Sequence, residues 1–225
     1  MNKIELLKTV GKWLIALVIP FFILITVSRA LMTSTFLQIE YSMPGFPEDS
    51  YGFTQEDRLN YAPYAIKYLL NSDGIEYLGD LEFTDGSVLF NERELSHMVD
   101  VKNVVQLGER VWMFLLLGIT AIGVIAWRWK SLDWFRLALS LGGLVTVNLL
   151  VLVSLIGILS FDTLFTNFHR MFFEDGSWLF YYSDTLIRLF PIRFWQDAVI
   201  AEIFISAATG VGFWLGFRKK DTRNE

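Results

Sequence analysis

Residues 137–161 read LALSLGGLVTVNLLVLVSLIGILSF, twenty-five positions without a charge. That exceeds the roughly 20 apolar residues a helix needs to cross about 30 Å of hydrocarbon. The stretch therefore makes the chain an integral membrane protein, and its neighbours fall into place around it. Just upstream, Arg128, Lys130 and Arg136 enclose a short loop, and residues 111–127 before it form a second uncharged run. A third run, 13–28, stands behind Lys3, Lys8 and Lys12, and Arg29 can snorkel outward to lengthen it. A cleavable signal peptide shares a basic start and an apolar run; Pro20 and the lack of a small-x-small cleavage site favour an anchor. The fourth run, 198–217, ends in Arg218-Lys219-Lys220.

Composition agrees with four transmembrane helices. The 225 residues are 53% hydrophobic and 16% aromatic, with a positive mean hydropathy, too apolar for an ordinary soluble domain. The net charge of -5 comes from acids gathered in one segment, and there is no basic stripe for nucleic acid. The chain has no cysteine, which excludes a disulfide framework, a thiolate zinc site and a cysteine nucleophile.

The expected fold class is an α-helical integral membrane protein with four transmembrane helices and a small extracytoplasmic α+β domain between the first and second. The chain divides at 1–29 (N-terminal segment and first span), 30–110 (outer domain), 111–161 (second and third spans), 162–197 (an interfacial segment) and 198–225 (fourth span and tail). Residues 30–110 carry fourteen Asp and Glu against six Lys and Arg with Arg29 counted, so this stretch is water-exposed. Within it Thr54-Gln55-Glu56-Asp57 looks like a helix N-terminus, followed by Leu59, Tyr61, Tyr64, Ala65, Tyr68 and Leu69 at helical spacing, with Pro63 a possible break. Residues 81–90 read as a hairpin about Asp85-Gly86. Gly108 is a candidate joint where the next helix meets the second span. In 162–197, aromatic rings alternate with polar groups, the pattern of a segment lying at the headgroup level.

Basic residues flank the N-terminus, the 128–136 loop and the C-terminus, with Lys219, Lys220 and Arg223 in the tail, so these three belong in the cytoplasm. Segments 30–110 and 162–197 are then both extracytoplasmic. Each holds one of the two histidines in the chain, His97 and His169. On a helix, Glu94, His97, Asp100 and Val101 share a face, so a carboxylate can orient the imidazole as a general base. The blander reading is a surface histidine among helix charges. A metal held by the histidines with Asp100, Glu94 or Glu174 lacks any close ligand spacing. Ser96 and Ser183 lack a nucleophile elbow. Glu202, inside the fourth run, is either functional or paired with Arg188 or Arg193. Asn148 suits a hydrogen bond between helices. Trp178, Tyr181 and Tyr182 can line an acyl pocket or simply anchor at the interface.

The residues Phe90-x-x-Arg93-Glu94-x-x-His97-Met98-x-Asp100-Val101, Phe165-x-x-Phe168-His169 and Trp178-x-Phe180 resemble the bacterial lipoprotein intramolecular transacylases, and the resemblance covers the whole chain, span order included. After Leu189-Phe190-Pro191 the chain has Ile192 and Arg193 where an acid is expected, so no catalytic role is assigned there. The resemblance implies transfer of the sn-2 acyl chain of a diacylglyceryl lipoprotein to the amine of its own N-terminal cysteine, leaving a lyso-form lipoprotein. It implies an acyltransferase of the bacterial cell membrane whose site faces outward and whose partners are a diacylated lipoprotein and membrane phospholipid.

Under that resemblance His97 and His169 are the catalytic pair, one the base and the other the acid or oxyanion donor. Asp100, Glu94 and Arg93 support them, Arg170 is a second candidate cation, and Trp178, Tyr181 and Glu202 meet the substrate. An amine of pKa about 7.7–8.0 can yield its proton to an imidazole near 6.5. Ester to amide is downhill, so no cofactor or metal is needed. Two alternatives remain: a non-enzymatic membrane protein that binds or assembles a partner, and a membrane lipid-ester hydrolase.

Overall fold

The computed structural model describes residues 2–218, so Lys219, Lys220 and Arg223 lie outside the described residues. The helices it contains, in chain order, are α1 (Lys3–Leu31), α2 (Ser34–Tyr41), α3 (Gln55–Leu70), α4 (Glu76–Gly79), α5 (Glu92–Arg128), α6 (Leu132–Leu159), α7 (Phe161–Phe172), α8 (Thr185–Leu189) and α9 (Ile192–Phe217). Four of them, α1, α5, α6 and α9, are long and apolar enough to cross a membrane. At 37 residues α5 is about 55 Å long, well beyond a bilayer's hydrocarbon thickness. Its charge-free part begins at residue 111, so His97 precedes the spanning portion.

The chain forms two compact units. The first, among the described residues, is 2–28, 109–159 and 201–218. α1 buries Ile15, Ala16, Ile19, Ile23 and Val27, a stripe at intervals of one, three and four, while Leu14, Leu17 and Phe21 face outward. α6 meets its neighbours through small residues. A Cβ on Gly142 would strike Ile19, and one on Gly143 would strike the Gly210 carbonyl, so α6 approaches α1 and α9 at backbone distance. Ser140 Oγ adds a hydrogen bond to the Trp214 carbonyl at 2.9 Å. Asn148 does not bridge helices: its amide donates to the Leu144 carbonyl one turn back. Glu202 pairs with neither arginine. It accepts from Ser28 Oγ at 3.1 Å and Ser206 Oγ at 2.9 Å, tying α9 to α1.

The second unit is Arg29–Gly108 with Ser160–Ile200. α3 begins as expected: Thr54 and Asp57 form a reciprocal capping box, which satisfies N–H groups the first turn leaves open. Pro63 does not split it, and the helix runs through to Leu70. α5 likewise passes Gly108 without a joint, since one glycine costs a helix only about 1 kcal/mol. The expected α+β character is corrected. The Asp85-Gly86 turn forms, with Gly86 at φ +81, yet only one antiparallel bridge follows it, Glu82 to Val88. No third strand lies beside it among the described residues, and the chain instead leaves the turn to bury Leu89 and Phe90 in a helical core.

That core joins Leu37 and Tyr41 of α2, Ala65 and Tyr68 of α3, Met98 of α5, and Leu186, Leu189 and Phe194. Polar crosslinks fix the register. Tyr41 OH donates to the Leu189 carbonyl at 2.9 Å, and buried Arg58 donates to the carbonyls of Arg188 and Pro47 at 2.9 and 2.7 Å. Arg188 in turn pairs with Asp49 at 3.1 Å. The segment expected to lie at the headgroup level is α7, α8 and the first turn of α9, pinned to the core along its second half.

Candidate active site

The N-terminus of α5 is a junction of three polar groups. Asn91 caps the helix, its Oδ1 accepting from Glu94 N at 3.1 Å, and Glu94 Oε2 accepts from Asn91 N at 2.8 Å. The other carboxylate oxygen of Glu94 accepts from Leu186 N, in the first turn of α8, at 2.6 Å. Burial raises the Glu94 carboxyl above its ordinary range, and the two N–H groups oppose that rise. Asp184, which the sequence reading did not single out, completes the junction. It pairs with Arg93 at 2.7 Å and accepts from Asn91 Nδ2 at 3.2 Å and from Tyr181 N at 2.8 Å. Arg93 lies against the rings of Phe180 and Tyr181. The junction holds the 180–186 strip against α5, one turn from His97.

His97 is buried, 9% exposed, with its ring 5.1 Å from Phe173 and 5.3 Å from Phe180, both edge-on. The ring of His169, from α7, lies 6.4 Å away and nearly parallel, at 19°. Phe165 and Trp178 flank His169 at 4.0 and 4.8 Å. So the chain folds its two histidines into one aromatic box, although they lie in separate segments. α7 does this because Phe161, Leu164, Phe165, Phe168 and Phe172 recur at spacings of three and four, and His169 sits one turn after Phe165 on the same stripe. Gly176, at φ +89, turns the chain back so that Trp178 meets His169.

The carboxylates expected to orient His97 do not do so. Among the described residues no hydrogen bond joins the ring to Asp100 or Glu94, and its Nδ1 is buried without a partner. Glu94 is turned instead to the backbone N–H groups of Leu186 in α8 and of Asn91. Without a carboxylate, desolvation dominates: burial, then the neighbouring His169, lower the His97 pKa to about 4. Burial lowers His169 too, opposed by its hydrogen bond to the Phe165 carbonyl at 2.8 Å. Both rings are neutral at physiological pH. A carbonyl accepts only, so His169 carries its proton on Nδ1, and Nε2 presents the lone pair.

Of the other candidates, Trp178 lies in the box, Tyr181 is exposed beside Arg93, and Tyr182 is exposed. Glu202 belongs to the first unit and is held by serines. Arg170 pairs with Asp175 on the surface at 3.3 Å. Among the described residues no three His, Cys, Asp or Glu side chains gather as a metal site would require.

A membrane-embedded helical protein with two neutral, desolvated imidazoles side by side among aromatic rings has the parts for moving one proton. Known proteins sharpen that class. The family model described as lipoprotein intramolecular transacylase Lit matches residues 13–195, so the chain belongs to that family, and it is a membrane-integral acyltransferase of lipoprotein maturation. An uncharacterized protein of Aquifex aeolicus (strain VF5) is 28% identical over 199 residues, 88% of each chain. The membrane integral lipoprotein intramolecular transacylase of Bacillus cereus shares the fold, with a TM-score of 0.74, 18% identity and 95% of each chain covered. A second structure of that enzyme, bearing one histidine-to-alanine substitution, gives 0.69 over 95% of this chain and 93% of its own.

Proposed function

We propose that this enzyme moves the sn-2 acyl chain of a diacylglyceryl lipoprotein onto the amine of that lipoprotein's own N-terminal cysteine, and that His97 and His169 carry the proton transfers. The juxtaposition of the two rings at 6.4 Å inside an aromatic box is the observation that supports this reading most. His169 is the base. Its Nδ1–H is spent on the Phe165 carbonyl, so Nε2 is aimed and unprotonated, ready to take the amine proton as nitrogen bonds to the ester carbonyl carbon. His97, neutral and more strongly desolvated, acts from Nε2–H as a hydrogen-bond donor to the glycerol oxygen. When the C–O bond breaks, that oxygen leaves with the proton His169 had collected. An amide and a free hydroxyl result, and the enzyme returns to its starting protonation.

The ring closed in the intermediate has eight members, counted from nitrogen through Cα, Cβ, sulfur and two glycerol carbons to the ester oxygen and carbonyl carbon. Such a step is unimolecular and limited by orientation, which a rigid box supplies. Aromatic walls also keep water from hydrolysing the ester. Lys8, Lys12, Arg128, Lys130, Arg136 and Arg218 at the span ends support cytoplasmic termini. The stretches 30–110 and 162–197 then form the outward catalytic portion of a multi-pass protein in the bacterial cell membrane, with phospholipid as the surrounding solvent and not the acyl donor. Arg93 is the supporting group in this scheme, through its clasp on Asp184.

The test is replacement of each histidine. His97→Ala and His169→Ala should each lower turnover of a diacylated reporter lipoprotein by about 10²-fold or more, the range for a lost acid–base group. Turnover within a few-fold of the parent in either variant contradicts the pair.

A further inference from the structure

Attack on an ester carbonyl puts negative charge on its oxygen, and in the scheme above neither histidine is assigned to it. The box holds a group for that purpose. Among the described residues only three buried side-chain atoms lack a hydrogen-bond partner: Glu40 Oε1, His97 Nδ1 and Trp178 Nε1. Two of these three stand in the histidine box. An indole nitrogen can only donate, and buried donors are nearly always paired because leaving one unpaired costs about 1–3 kcal/mol. Trp195, in the same region of sequence, obeys that rule by donating to the Phe190 carbonyl at 3.1 Å. Trp178 does not, and its ring lies 4.8 Å from His169. A tryptophan serving as an interfacial anchor would turn its N–H to water or headgroups; the Nε1 of Trp178 is instead buried, on a ring packed against His169.

We propose that Trp178 is a catalytic residue whose Nε1–H is the oxyanion donor, an inference that rests on the acyl-transfer reading above. As the amine nitrogen bonds to the carbonyl carbon, the carbonyl π pair moves onto oxygen. That oxygen takes the Trp178 N–H as its partner, while His169 Nε2 removes the proton from nitrogen. On collapse the pair returns to re-form the carbonyl, the C–O bond to glycerol breaks, and the glycerol oxygen leaves with the proton. Trp178 neither gains nor loses a proton. The ground-state cost of its unpaired N–H is relieved only when substrate oxygen arrives, most strongly when that oxygen is charged.

The experiment replaces N–H while keeping shape. Trp178→Phe is made, together with the full-length protein carrying 3-benzothienylalanine at 178, a tryptophan analogue with sulfur in place of the indole N–H. His169→Ala runs alongside, and the substrate is a diacylated reporter lipoprotein in detergent or vesicles. Both changes at 178 should lower kcat by about 10²-fold or more while KM stays within about threefold and the melting temperature stays near the parent's. A benzothienyl enzyme within a few-fold of the parent, with His169→Ala inactive, overturns the oxyanion role and leaves the histidine reading intact. If His169→Ala is itself active, both fall together.

Discussion

Replacing His97 by phenylalanine should make the protein more resistant to acid while abolishing turnover. In the folded chain His97 is 9% exposed, and burial together with His169 holds its pKa down to about 4. In the unfolded chain the same ring titrates near 6.5. Above pH 6.5 the ring is neutral in both states and contributes no pH dependence. As pH falls from about 6.5 to 4, the unfolded chain binds the proton and the folded chain does not, so stability drains away at about 1.4 kcal/mol per pH unit. The loss is complete once pH has fallen through the folded pKa, at a total of about 3 kcal/mol, an order-of-magnitude figure.

Phenylalanine has no proton to bind, and Phe173 and Phe180 already offer it an aromatic wall. Any cost of its extra volume is the same at every pH. For a chain of this length about 3 kcal/mol corresponds to roughly 6–12 °C in melting temperature. Paired thermal melts of parent and His97→Phe in detergent at pH 7.5, 6, 5 and 4.5 read the effect as a gap that widens in the variant's favour toward acid. Two curves that fall in parallel would refute the assignment of a buried neutral imidazole.

Glu94→Ala should destabilise the second unit by about 2–4 kcal/mol, because it strips the acceptor from both Leu186 N–H and Asn91 N–H; Glu94→Gln, which keeps one acceptor oxygen, should lose about half as much. Melting of Glu94→Ala within a degree or two of the parent contradicts that structural role. Single cysteines at Ser72 and Thr222, in a chain with none of its own, should react with an impermeant thiol reagent from outside at the first position and not at the second. Thr222 lies outside the described residues, so this reading rests on the basic residues at the span ends, and labelling of both or neither overturns the orientation.

What the sequence made legible follows from which interactions are local. The apolar runs around residues 137–161 need no partner to be recognised, since hydrocarbon length alone sets them. The Thr54 cap was visible because a capping box is closed within four residues. The α+β expectation drawn from residues 81–90 failed for the opposite reason. Its turn is local and formed, but whether strands extend depends on what lies beside them, and what lies beside them is helix. α2 was missed: its eight residues are held by Tyr41 reaching Leu189, far along the chain.

At the site, the two histidines could be named because they are the only ones and motifs surround them. Their orientation could not. Spacing put Asp100 and Glu94 near His97, but the competing partner that captured Glu94 is a backbone N–H of α8, nearly a hundred residues away, and no side-chain pattern announces a backbone donor. Asp184 was overlooked for the same reason, since its partners Arg93 and Asn91 come from another segment. The paired state of the indole N–H groups of Trp178 and Trp195 is likewise a property of the fold and not of the sequence around them.

The central claim is transfer within one substrate molecule, and the fate of a single acyl chain tests it most directly. A reporter lipoprotein carrying an isotope-labelled sn-2 chain is given to the purified enzyme in unlabelled phospholipid, and the N-terminal peptide is analysed by mass spectrometry. The account predicts a labelled amide on the cysteine nitrogen and a free sn-2 hydroxyl. An unlabelled amide, which would make phospholipid the donor, or labelled free fatty acid beside an unmodified amine, which would make the protein a hydrolase, contradicts it.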